Sequence, residues 1–194
     1  MNFLAHIYLS GEEELVTLGN FMADGIKGRK YKDYSPQIQK GILLHRAIDT
    51  FTDAHPVVRQ STARLHASYS HYSGVIVDMF YDHFLASRWM EYHKQPLQDF
   101  VQEFYDLLHH RYDELTPRIQ RLMPYMIADN WLLSYATIPG LEKILGQMDS
   151  RTAGKSRMQQ SVNELQEFYE EFGSEFDLFF NELIIFSQSK LDQL

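Results

Sequence analysis

The chain has 194 residues and sets 26 Asp and Glu against 18 Lys and Arg, for a formal charge of −8. It has no Cys, so disulfides and thiolate metal sites are excluded, and any metal must be held by Asp, Glu, His and water. The acidic balance argues against nucleic acid as a partner, while 44% hydrophobic and 14% aromatic residues suffice for the core of one domain covering residues 1–194.

Apolar residues recur at helical spacing nearly throughout, with no repeat and no strand-like alternation. The expected fold is all-α, a single helical domain. Predicted helices cover roughly 2–9, 12–25, 36–54, 56–69, 73–93, 97–114, 117–136, 138–149 and 157–190. The opening MNFLAHIYLSGEEELV has neither a basic n-region nor a small-residue cleavage pattern, so it does not read as a signal peptide. No uncharged apolar run approaches the ~18 residues a bilayer span needs. A soluble cytoplasmic protein without membrane contact is the expectation.

Taken in order, the helices carry unexpected polar residues. His6 shares the first with Phe3, Leu4 and Ile7. The second ends GNFMAD, which puts Asp24 at the unfavourable pole of a helix dipole and calls for a positive partner. KGRKYKDYSP follows, a loop that concentrates Lys27, Arg29, Lys30 and Lys32, and SPQIQ then opens the next helix with an N-cap and a first-turn Pro. In GILLHRAIDTFTDAHP, His45, Asp49 and Asp53 stand at i, i+4 and i+8 on one stripe, with Arg46 beside it.

The segment VIVDMFYDHFLASRW puts Asp78 and Asp82 four apart on an otherwise buried helix, where like charges repel, and adds His83. Packed face to face with the His45 helix, it would supply imidazoles and carboxylates suited to Mn²⁺, Fe²⁺, Mg²⁺ or Zn²⁺. His55, His66, His71, His93, His109 and His110 read as surface. The Glu-rich final helix, Glu175 included, reads as amphipathic with a solvated acidic face. Nucleophile-elbow, P-loop and dinucleotide motifs are missing. The residues alone leave two readings: a metal centre, or a helical binding module whose His/Asp cluster is structural.

Four blocks, MNFLAH, GNFMAD, GILLHRAIDTFTDAHP and DMFYDHFLASRW, together resemble the successive signature segments of the acyl carrier protein phosphodiesterases. The resemblance covers about the first half of the chain. It implies an HD-phosphohydrolase-like helical bundle with a divalent metal, commonly manganese, with Mg²⁺ or Fe²⁺ as alternatives. It implies hydrolysis of the phosphodiester between 4′-phosphopantetheine and a serine of holo-acyl carrier protein. Carried over by motif, His6, Asp24, His45, Asp49, Asp82 and His83 are the implied metal positions. Asp49, Arg46, Asp53 and Asp78 are the implied catalytic groups. The basic loop suits docking of an acidic carrier protein, and equally another carrier or a small phosphodiester.

Overall fold

The computed structural model describes residues 1–194, and its twelve α-helices run without any strand. The first half comprises α1 (Phe3–Tyr8), α2 (Glu14–Met22), α3 (Pro36–Ala54), α4 (Pro56–Tyr69), α5 (Ser73–Ser87) and α6 (Trp89–Tyr92). The second half comprises α7 (Leu97–His110), α8 (Pro117–Ala128), α9 (Trp131–Ser134), α10 (Ile138–Arg151), α11 (Val162–Glu167) and α12 (Tyr169–Gln193). None is long and apolar enough to cross a membrane.

Proline sets several starts. Pro36, Pro56 and Pro117 each sit in a first turn, where the missing N–H leaves no bond unmade. Thr116 caps α8 by accepting from the Ile119 N–H, whereas Ser35 makes no side-chain cap. Three expected helices are interrupted. The 73–93 segment breaks at Arg88, the 117–136 segment at Asn130, which is left-handed with φ 44°, and the last at Phe168. The basic loop closes into a short 3₁₀ turn, Gly28–Asp33.

Helix α5 is buried nearly all round, as its continuous apolar surface requires. It is packed by α1, α4, α10 and α12, and α3 lies between α2 and α12. One cluster of 50 buried hydrophobic residues runs through all of these helices. The closest crossing is α2 on α3. A Cβ added at Gly19 would lie 2.3 Å from the Ile38 carbonyl oxygen, and one at Gly41 would lie 2.1 Å from that of Val16. Only glycine allows backbones to meet so closely. Gly41, His45 and Asp49 are spaced by four on α3, so this crossing also lays His45 and Asp49 against the end of α2.

Two sequence expectations change here. Glu175 is buried: Arg64 clamps it with two bonds of 2.7 and 2.6 Å, and Gln60 and Ser61 also donate to it, tying α4 to α12. His55 is likewise buried, packed on Phe51 and Phe179 and 3.3 Å from Glu182 Oε2.

Candidate metal centre

Four residues from three segments converge. His6 comes from α1, Asp24 from the turn after α2, and His45 and Asp49 from α3. His6 Nε2 lies 3.3 Å from Asp49 Oδ1, and His45 Nε2 lies 3.2 Å from both Asp49 Oδ2 and Asp24 Oδ1. The two imidazoles stack with centroids 4.0 Å apart. One donor atom each from His6, His45 and Asp49 falls within 4.8 Å of the others, a group that could hold a metal ion. Both rings are buried, and Asp49 is 45% exposed at the side chain, so the cluster is fixed from behind and open in front.

Asn20, which the sequence reading did not single out, fixes the His6 ring. Its amide nitrogen donates to the His6 carbonyl and to Ser10 Oγ, both at 2.9 Å. Its Oδ1 is thereby left to accept from His6 Nδ1–H at 2.8 Å. In that tautomer the His6 Nε2 lone pair points at a carboxylate oxygen. Two acceptors meeting at 3.3 Å repel unless a cation lies between them. An outer partner that sets the imidazole tautomer is the usual companion of a metal-binding histidine.

The charges agree with this geometry. Burial and the charged His45 ring push His6 down to about 4. Burial would lower His45 too, but hydrogen bonds to Asp24 and Asp49 outweigh it and lift the ring to about 9. Burial would raise Asp49, yet the hydrogen bond from the charged His45 ring holds its carboxyl well below the usual range. At neutral pH the stacked pair thus carries one positive charge, on His45. Its Nδ1 is buried without a partner.

The cluster lines a cavity of about 280 Å³, and Asp53 and Asp78 also reach its wall. Arg118 approaches Asp24 Oδ2 at 3.9 Å, supplying the cation that a carboxylate at a helix end requires. The sequence offered little sign of Arg118, which follows a helix-capping Thr-Pro 94 positions after Asp24.

The remaining expected positions do not join the cluster, although Asp53 and Asp78 line the same cavity. Asp82 does not face the cluster: its Oδ1 accepts the Asn2 N–H at 3.1 Å and its Oδ2 the Leu4 N–H at 2.8 Å, so it caps α1 from across the core. Burial pushes its carboxyl up to about 7 against those bonds. Both nitrogens of His83 are engaged, Nδ1 with the Tyr135 carbonyl at 2.8 Å and Nε2 with Tyr169 Oη at 3.0 Å. Asp78 accepts from the Met1 ammonium at 2.8 Å. The acids of α5 are therefore offset by the amino-terminal segment, not by the cluster. Arg46 turns away from the cavity, donating to the Ile26 carbonyl at 2.8 Å and lying over the Tyr31 ring. It anchors the loop bearing Lys27, Arg29, Lys30 and Lys32, all exposed and none in an ion pair.

Fold and site define an all-helical protein with a candidate metal centre at the floor of a cleft. The family profile of acyl carrier protein phosphodiesterase matches residues 1–183, and the chain belongs to that family. An acyl carrier protein phosphodiesterase of Yersinia enterocolitica is 31% identical over 98% of this chain and 99% of its own length. One of Serratia proteamaculans is 30% identical across the full length of both, and one of Escherichia coli is 29% identical over 93% of this chain and 94% of its own. No solved structure matched the chain.

Proposed function

We propose that this protein hydrolyses the phosphodiester joining 4′-phosphopantetheine to a serine of holo-acyl carrier protein, in the cytoplasm, releasing apo-carrier and 4′-phosphopantetheine. Family membership supports the substrate. The observation that carries the chemistry is the His6 Nε2–Asp49 Oδ1 approach at 3.3 Å, with Asn20 holding the His6 lone pair toward the carboxylate.

His6, His45 and Asp49 would hold the divalent ion; their mixed nitrogen and oxygen donors are compatible with Mn²⁺, Fe²⁺ or Zn²⁺, and the family resemblance favours manganese among these. Such an ion, when bound, polarises a phosphoryl oxygen and lowers the pKa of coordinated water. The chain's own residues supply the rest. Arg118, exposed at the cavity edge beside Asp24, is placed to neutralise the single negative charge of the diester. Hydrolysis adds hydroxide to phosphorus and a proton to the serine oxygen. Asp53 presents an exposed carboxylate to the cavity, to take the proton of the attacking water and, once protonated, to give it to the leaving serine oxygen, while Asp24, held ionised by its bond to His45, orients that water. Arg46 acts as a positioning residue for the basic loop, which meets the acidic carrier.

The test is mass spectrometry of holo-acyl carrier protein incubated with the Mn²⁺-loaded protein. Appearance of the apo-carrier mass together with free 4′-phosphopantetheine is expected. An unchanged holo-carrier would contradict the reading and leave a binding module, while cleavage confined to small diesters would move the activity to another substrate.

A further inference from the structure

Helix α8 carries charge that the metal cluster does not use. None of the chain's 26 Asp and Glu falls between Leu115 and Ala128. The acids that flank this stretch are already paired, Glu114 with Arg111 at 3.3 Å and Asp129 with Lys143 at 2.7 Å. Arg121 is exposed and enters no ion pair, and Arg118 reaches only Asp24, at 3.9 Å. The basic loop begins against the start of this helix: a Cβ added at Gly25 would lie 3.4 Å from Thr116 Oγ1 and 3.9 Å from Arg118 Cδ. Two basic segments therefore start side by side at Asp24, on the edge of the cavity. Further along α8, Tyr125 is 68% exposed. Arg118, Arg121 and Tyr125 stand at i, i+3 and i+7 and so share one face. Seven residues at a rise of 1.5 Å put Tyr125 about 10 Å along the axis from Arg118. That is too far to touch a phosphodiester held at the cluster, and within reach of a protein attached to it.

We propose that the face of α8 bearing Arg121 and Tyr125 is a docking surface for the acidic carrier protein, which it grips together with the basic loop; this rests on the phosphopantetheine reading above. The chain is formally −8, so an acidic partner is repelled by most of its surface. Only a local field of the opposite sign, made by cations without acids beside them, steers such a partner to one place and orientation. The acid-free α8 supplies that field next to the cavity. Arg121 offers a planar fork to a carboxylate, and Tyr125 offers a ring that is desolvated on contact; Arg and Tyr are the residue types that anchor interfaces. The surface touches the body of the carrier, not the diester. It makes the protein selective for a diester mounted on an acidic protein over the same bond in a small molecule.

The experiment uses the full chain with Mn²⁺ and compares holo-carrier protein with a small aryl phosphodiester. Both side chains are exposed, so Arg121→Glu and Tyr125→Ala should melt as the wild type does. Tyr125→Ala should raise KM for holo-carrier about five- to thirtyfold, the loss of an anchoring aromatic, at every salt concentration. Tyr125→Phe, which keeps the ring, should stay within about twofold of the wild type. Arg121→Glu should raise KM about tenfold at low salt and much less at high salt, where exposed charges are screened. Neither variant should change kcat for holo-carrier or either constant for the small diester. Both variants keeping the wild-type KM at low salt, while the wild type cleaves holo-carrier, would overturn the docking surface alone. So would an equal loss on the small diester, because the damage would then lie in the site. A wild type that leaves holo-carrier intact would overturn the proposed function and the docking surface with it.

Discussion

Gly41→Ala tests whether the α2–α3 crossing builds the metal centre. The added Cβ would sit 2.1 Å from the Val16 carbonyl oxygen, 1.3 Å short of the 3.4 Å at which ordinary contact begins. Both sides are backbone, so the helices must part by about that distance. Overpacking of this kind costs about 1–3 kcal/mol, against a gain of up to about 1 kcal/mol from replacing helical Gly by Ala. A net loss of up to about 2 kcal/mol in urea denaturation is expected. The site should suffer more. His45 and Asp49 ride on α3 one and two turns beyond Gly41, while Asn20 ties His6 to α2. Metal ligands tolerate about 0.2 Å of error, so Mn²⁺ affinity by calorimetry should fall about 10–100-fold, the range seen when supporting groups are lost. Gly74→Ala, where the new methyl meets nothing within 4 Å, is the control and should change neither quantity for the worse. A Gly41→Ala protein with wild-type stability and Mn²⁺ affinity would refute the reasoning.

Because His6 is neutral and His45 carries a proton up to about pH 9, binding one ion at the cluster should expel roughly one proton. Apparent affinity should then rise about tenfold per pH unit below about 9 and level off above it; calorimetry in buffers of different ionisation enthalpy reads this directly, and a pH-independent affinity speaks against His45 as a ligand. Reversing Lys27, Lys30 and Lys32 to Glu should raise KM for holo-carrier at low salt and flatten its salt dependence, with kcat nearly constant. If KM does not move, docking lies elsewhere. Asp82→Ala would leave the Asn2 and Leu4 N–H groups unpaired and should cost about 1–3 kcal/mol by thermal denaturation. An unchanged midpoint would mean the cap contributes nothing.

The convergence of His6, Asp24, His45 and Asp49 was partly legible because i, i+4 spacing fixes side chains on one stripe of a helix. The starts of α3 and α4 were legible because proline marks a first turn so clearly. Asp82 and His83 were not, since a buried acid on an apolar helix reads the same whether it meets a cation or two backbone N–H groups. Asp78 finds its partner at the far end of the sequence, in the Met1 ammonium. Arg118 reaches the cleft only through the packing of α8, which no local pattern encodes. Gly19 and Gly41 did carry a signal, being glycines inside strongly helical stretches, and such residues mark a close backbone approach.

The most direct measurement of the account is a titration of Mn²⁺ into metal-stripped protein mixed with holo-acyl carrier protein, with intact-mass detection of the carrier. Apo-carrier should form in proportion to bound Mn²⁺ in the wild type, and Asp49→Ala should neither bind the ion at the same concentrations nor yield apo-carrier. Wild-type turnover that is independent of the metal, or full turnover by Asp49→Ala, would contradict the central claim.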